Sequence, residues 1–188
     1  MRPLRTVVAL ITLLLVAGPL VVASDLPDLP VLHGTVVGVI DGDTADIRLE
    51  SGMIRIRFHA IDAPESGQPN GKAAKAALSQ LIFGKAVEVE PFEQDRYDRL
   101  VARVWLDGQD VNAEMIKSGN AWTYRRYADE PAYCEYEKTA RDQGRGLWRL
   151  PPADRVAPWE WRQRKSRAGQ FTDYSRETVA ACVAALGH

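Results

Sequence analysis

The chain has 188 residues, 46% of them hydrophobic and 26% charged, with a formal net charge of −1. That length suits one domain with a short extension, and that balance is the one of an ordinary soluble globular protein, not of a low-complexity, long-repeat or coiled-coil chain. A nucleic-acid binder usually carries a basic surplus, so bulk charge gives no support to such a partner and any affinity for phosphate must come from local placement of cations.

The first residues stand apart. Arg2 and Arg5 precede an apolar run from Val7 to Val22 that is broken only by Thr12, Gly18 and Pro19, and Val21-Val22-Ala23 supplies the small-residue pattern of a signal-peptidase site. A membrane-spanning helix wants about 20 apolar residues, so the expectation is an export signal over residues 1–23, cleaved after Ala23, and a periplasmic or secreted protein. An uncleaved membrane anchor is the alternative. No Cys follows the run, which argues against a lipoprotein anchor. Residues 24–31 read as a Pro-containing linker.

Short strands come next. Val36 to Ile40 is an apolar run stopped by Asp41-Gly42, and Ala45, Ile47 and Leu49 alternate with Thr44, Asp46 and Arg48. After the Ser51-Gly52 turn, Ile54, Ile56 and Phe58 alternate with Arg55, Arg57 and His59, which period two places opposite the core. Asp62 to Gly67 reads as a loop and Lys72 to Phe83 as a helix stopped by Gly84. Val87 and Val89 mark a fourth strand; Leu100 to Leu106 is a fifth, closed by Asp107-Gly108. Helices are expected over Val111 to Ser118 and Ala132 to Gln143, the latter with Asp129 as N-cap. The fold class is therefore α+β: a five-stranded OB-type β-barrel with about three helices, spanning residues 32–149, with a C-terminal extension over 150–188. In that extension Pro158-Trp159-Glu160-Trp161-Arg162 reads as non-helical and as laying two Trp rings on the domain. Val179, Val183 and Leu186 mark a terminal amphipathic helix carrying Cys182. Cys134 and Cys182 are either a disulfide, expected in an oxidising compartment, or two buried thiols.

Chemistry gathers in three stretches. Asp41-Gly42-Asp43-Thr44 sets two carboxylates at a strand end, an oxygen-rich point of the kind hard cations select. It does not fit an EF-hand loop, because Ala45, Asp46 and Gly52 fall where that loop needs a ligand, a glycine and a glutamate. Arg57 through Glu65 joins a strand-borne Arg to Asp62 and Glu65, with Pro64 restricting the backbone between the two acids. Asp95-Arg96-Tyr97-Asp98-Arg99 stands just before a strand, so that Arg99 can point across a barrel mouth.

Together these stretches resemble the thermonuclease family, the staphylococcal-nuclease-like OB-fold phosphodiesterases, over roughly His33 to Trp148. The resemblance implies Ca2+ held by Asp43, Asp62 and the backbone carbonyl of Ala63, with Asp41 acting through water. It implies Glu65 as the base or water-positioning group, and Arg57 and Arg99 as phosphate-binding arginines. Nucleic acid, DNA and RNA with single strands favoured, is then the substrate, cleaved to leave 3′-phosphates by a monomer with no stable protein partner. Two positions depart from the family pattern. Asp98 stands where a Gly often precedes the second arginine, and a carboxylate there could steady Arg99 or dampen its field. Arg125 and Arg126 separate Tyr124 from Tyr127, so base stacking by these tyrosines competes with barrel-edge packing as their role. Two further functions are weighed against the nuclease. One is a non-catalytic OB module that binds oligonucleotides or peptides; the other is a periplasmic assembly protein using the Trp/Pro-rich tail.

Overall fold

In the computed structural model, residues 30–163 and 171–187 are described. The expected signal segment, and most of the expected linker, lie outside them. Five strands close a barrel: β1 (Leu32–Val39), β2 (Thr44–Leu49), β3 (Gly52–Phe58), β5 (Ala86–Gln94) and β6 (Leu100–Leu106). A two-residue strand, β4 (Ile61–Asp62), falls between β3 and β5. The sheet order β3-β2-β1-β5-β6 is closed by parallel pairing of β3 with β6, Arg57 opposite Val101, while the other pairs are antiparallel. Register shifts in β1 between Val36 and Gly38, and in β5 between Pro91 and Glu93, interrupt the ladder. Bulges of this kind add the local bend that a small closed barrel requires.

Alternation fills the barrel. Ala45, Ile47, Ile56, Phe58, Val89, Ala102 and Val104 point inward and are fully buried, or nearly so. Helix α1 (Gly71–Ile82) lays Ala74, Leu78 and Ile82 on this core, at the four-residue spacing of one helix face. After β7 (Gln109–Asp110), helix α2 (Val111–Lys117) starts on an Asp110 side chain that accepts from the Ala113 N–H. Asn112, fully buried, accepts from Val104 N–H and donates to the His59 carbonyl. The chain then forms β8 (Trp122–Thr123) and α3 (Pro131–Asp142).

Several expectations need correction. α3 begins at Pro131 with Glu130 at the N-cap and no side-chain capping bond, so Asp129 does not cap it; Pro at the first helical position lacks only an N–H that has no partner there anyway. The same reason overturns the non-helical reading of the Pro/Trp segment. Pro158–Arg162 forms a short helix, α4, with Pro158 at its first turn. Arg57 is not on a solvated face: its side chain is only 13% exposed and turns into the barrel mouth. His59 lies just past the end of β3, its ring stacked on Phe92 at 4.0 Å.

The C-terminal extension is fastened in three ways. Cys134 in α3 and Cys182 in α5 (Val179–Ala184) form a disulfide. Arg125 donates to Glu137 (2.7 Å) and to Glu177, and its carbonyl accepts from the Gly187 N–H. Trp122 packs edge-on against Trp148, Trp159 and Tyr174, while Trp159 stacks on Tyr124 with centroids 5.4 Å apart. Among the described residues no helix is long and apolar enough to cross a membrane.

Candidate active site

The Asp41-Gly42-Asp43 turn between β1 and β2 comes against the segment after β4 because Gly42 lacks a side chain. A Cβ there would lie 2.6 Å from the Ala63 Cβ and 2.8 Å from the Ala74 Cβ. Asp43 is thereby buried, its Oδ2 accepting the Ala63 N–H at 2.6 Å, while its own N–H donates to Asp41 Oδ1 at 3.0 Å. Asp62 is fixed from the opposite side. It is 1% exposed and sits in β4, which pairs with β8 through Asp62 opposite Trp122. Gly71 performs the same service for Glu65, since a Cβ on it would fall 1.9 Å from the Glu65 carbonyl oxygen.

Arg57 joins these parts. Its Nη1 donates to the carbonyls of Phe58 (2.7 Å) and Ile61 (2.9 Å), so the guanidinium is oriented by backbone before it meets a charge. Its Nη2 donates to Asp62 Oδ1 at 3.0 Å and lies 3.3 Å from Asp43 Oδ2. Burial pushes the Asp43 carboxyl up to about 7; Arg57 opposes the shift, and Asp41 and Asp62 add to it. Burial pushes Asp62 up as well, against the hydrogen bonds of Arg162 and the charge of Arg57. In both acids burial outweighs the opposing cations.

Arg99 lines the same cleft from the turn just before β6, and its Nε donates to Asp95 Oδ2 at 2.8 Å. The ion pair on Arg99 is made by Asp95, not by Asp98. Asp98 has φ 58°, a left-handed turn conformation that glycine adopts freely, and this explains why a Gly suits the position. Tyr124 lies over the cleft with one face against Trp159, and Tyr127, 47% exposed, meets it edge-on. The cleft has a volume of about 860 Å³ and brings together Asp41, Asp43, Arg57, Asp62, Glu65 and Arg99, with Ala63 also in its lining.

Sequence reasoning missed Arg162. From the C-terminal end of α4 its Nη1 donates to Asp62 Oδ1 (3.1 Å) and Glu65 Oε1 (2.8 Å), and its Nη2 to Asp62 Oδ2 (2.8 Å). No spacing signal links position 162 to position 62. A helix allowed to start on Pro158 was the available hint.

Residues 55–150 match the family described as staphylococcal nuclease homologue. The chain belongs to the staphylococcal nuclease homologues. It is 42% identical over 135 residues to an uncharacterized endonuclease of Escherichia coli O157:H7, covering 71% of this chain and 87% of that one. Against the micrococcal nuclease of Shigella flexneri it is 40% identical over 172 residues, covering 85% and 97%. A Haemophilus influenzae protein, likewise called an uncharacterized endonuclease, is 37% identical over 142 residues, covering 74% and 77%. As a staphylococcal nuclease homologue the chain is a hydrolase, an endonuclease whose substrate is nucleic acid. The matched span contains Arg57, Asp62, Glu65 and Arg99, begins after Asp43 and ends before Arg162.

The donor set fits a hard divalent cation. Asp41, Asp43, Asp62 and Glu65 line the cleft and offer the carboxylate oxygens that such a cation selects, with Arg57 bonded to Asp62 and Arg162 to Asp62 and Glu65. Among the described residues no group of three acidic, His or Cys side chains is placed to hold a metal ion.

Proposed function

We propose that this chain is an exported, Ca2+-dependent endonuclease that hydrolyses DNA and RNA with little sequence preference, favours single strands and acts as a monomer. The observation that carries the reading is Arg57, oriented by two carbonyls between Asp43 and Asp62 at the mouth of a cleft that also holds Glu65 and Arg99. Asp43, Asp62 and the Ala63 carbonyl are the groups that would hold the cation, with Asp41 acting through water. A bound Ca2+ would neutralise phosphate charge and favour deprotonation of an attacking water.

The remaining chemistry belongs to side chains. Arg57 and Arg99 offer planar, multiply donating guanidiniums to phosphate oxygens, whose charge grows as the phosphorus becomes five-coordinate. Glu65, on the exposed rim, takes the proton of the attacking water or places that water in line. Cleavage that leaves a 3′-phosphate follows by resemblance to the family. The apolar run at residues 7–22 supports export, and an extracellular or periplasmic setting supplies calcium and tolerates the Cys134–Cys182 disulfide. Base contacts are expected to be loose, since aromatic stacking accepts any base. Tyr127, half-exposed at the cleft, offers a ring for it.

The test is Arg57→Ala assayed on single-stranded DNA with calcium. The rate should fall on the order of 100- to 1,000-fold, the usual cost of one preorganised donor, while circular dichroism stays native. A folded Arg57→Ala protein with full activity contradicts the reading.

A further inference from the structure

Arg162 lies outside the family-matched span, yet it makes more hydrogen bonds to the site acids than Arg57 does. Its segment is built to bring it there. The Val156 carbonyl accepts from Gln68 Nε2, and buried Glu160 accepts from the Thr172 N–H (2.9 Å) and hydroxyl (2.6 Å). Trp159 is stacked on Tyr124. These contacts fix α4 on both sides of the arginine's own turn, so the guanidinium arrives at the carboxylates already positioned.

We propose that Arg162 is a third arginine of the nuclease site, a positioning residue that holds the Glu65 carboxylate beside Asp62. The same pairing makes it a competitor with the divalent cation for Asp62. The proposal rests on the nuclease reading above. One Nη1 group bridges the two acids, so Glu65 is held to the buried Asp62 through a single guanidinium instead of swinging freely on its exposed rim. Nη2 closes the second bond to Asp62, giving a two-bond fork that a lysine cannot reproduce. Arg162 is 41% exposed toward the cleft, which leaves room for the guanidinium to be displaced without unfolding α4.

The experiment compares Arg162→Gln and Arg162→Lys with the full wild-type chain, first by calorimetric titration with Ca2+ alone and then by steady-state hydrolysis of single-stranded DNA. Removing a competing charge should tighten Ca2+ binding by about tenfold in Arg162→Gln, because a fixed cation beside a carboxylate disfavours a second one. Losing the hold on Glu65 should lower kcat on the order of 10- to 100-fold with KM changed less than about threefold. Arg162→Lys should fall between the two in both measurements. A role confined to anchoring α4 would not tighten Ca2+ binding. Unchanged Ca2+ affinity, or a kcat within twofold of wild type, in folded Arg162→Gln protein overturns the proposal. A wild-type chain inert on DNA at every calcium concentration would instead sink the nuclease reading, with the Ca2+ titration still reporting on Arg162.

Discussion

Arg162 and Asp62, 100 positions apart in the chain, form a two-bond guanidinium–carboxylate pair on the floor of the cleft. The barrel supplies the acid and the C-terminal extension supplies the base. The extension thus contributes a side chain to the cleft, and on the proposed role of Arg162 whatever holds it in place bears on activity.

The disulfide is the first such fastening. Cys134 and Cys182 are 48 residues apart, and closing a loop of that length restricts the unfolded chain by about 4 kcal/mol. Cys134→Ser/Cys182→Ser protein should lose stability of that order in urea unfolding. Reducing agent should have the same effect on wild type and none on the variant.

The Arg125 knot is the second. Arg125 and Glu137 are both nearly buried, with Nη2 donating to Oε1 at 2.7 Å, and Glu137 also accepts the Thr123 N–H at 2.7 Å. Removing one partner of an isolated buried pair costs about 3–5 kcal/mol, but Arg125 keeps Glu177, so Glu137→Ala should be destabilised by about 1.5–3 kcal/mol in denaturant melts, the loss of one charged hydrogen-bond partner.

The four barrel residues Asp43, Arg57, Asp62 and Glu65 were legible in the sequence because two contiguous stretches carry them, each with its own local signal: an Asp-Gly-Asp turn after a strand, and an Arg in strand alternation followed by a Pro-restrained pair of acids. Alternation in β2 and β3 likewise shows which residues face the core. Arg162 was not legible, since its position depends on Trp159 stacking and on the Gln68–Val156 bond, tertiary contacts that leave no periodic trace. Pro158 compounded the difficulty: read as a helix breaker, it is here a helix starter. For Arg99 the cleft was legible but the partner was not, because Asp98 is its chain neighbour and only the turn geometry brings it to the more distant Asp95 instead.

That separation is testable. Asp95 accepts from Arg99 Nε at 2.8 Å and from the Tyr97 and Arg99 N–H groups, whereas Asp98 occupies the left-handed turn position. Asp98→Gly should leave DNA hydrolysis within about twofold of wild type, as a turn position that suits glycine. Asp95→Ala frees Arg99 and opens the turn, and should lower kcat/KM by about tenfold, a loss of roughly 1.4 kcal/mol.

His59 carries a pH dependence. Burial against Phe92 pushes its imidazole below the ordinary 6.5; Asp129 opposes this and Arg103 reinforces it. A lowered pKa in the folded state means that the neutral ring is favoured. The stability it contributes is present above pH 6.5 and is lost as pH falls through the lower folded value. Wild type should therefore lose stability on acidification below pH 6.5 more steeply than His59→Phe does, as measured by thermal melts in matched buffers. Parallel curves would remove His59 from the account.

The central claim, a calcium-dependent nuclease with Glu65 at the water, is tested most directly by one assay. Purified wild-type and Glu65→Gln proteins are incubated with single-stranded DNA in calcium and in EDTA. The account predicts cleavage by wild type in calcium only, with Glu65→Gln slowed on the order of 100-fold or more while remaining folded. Cleavage that persisted in EDTA, or full activity in Glu65→Gln, would contradict it.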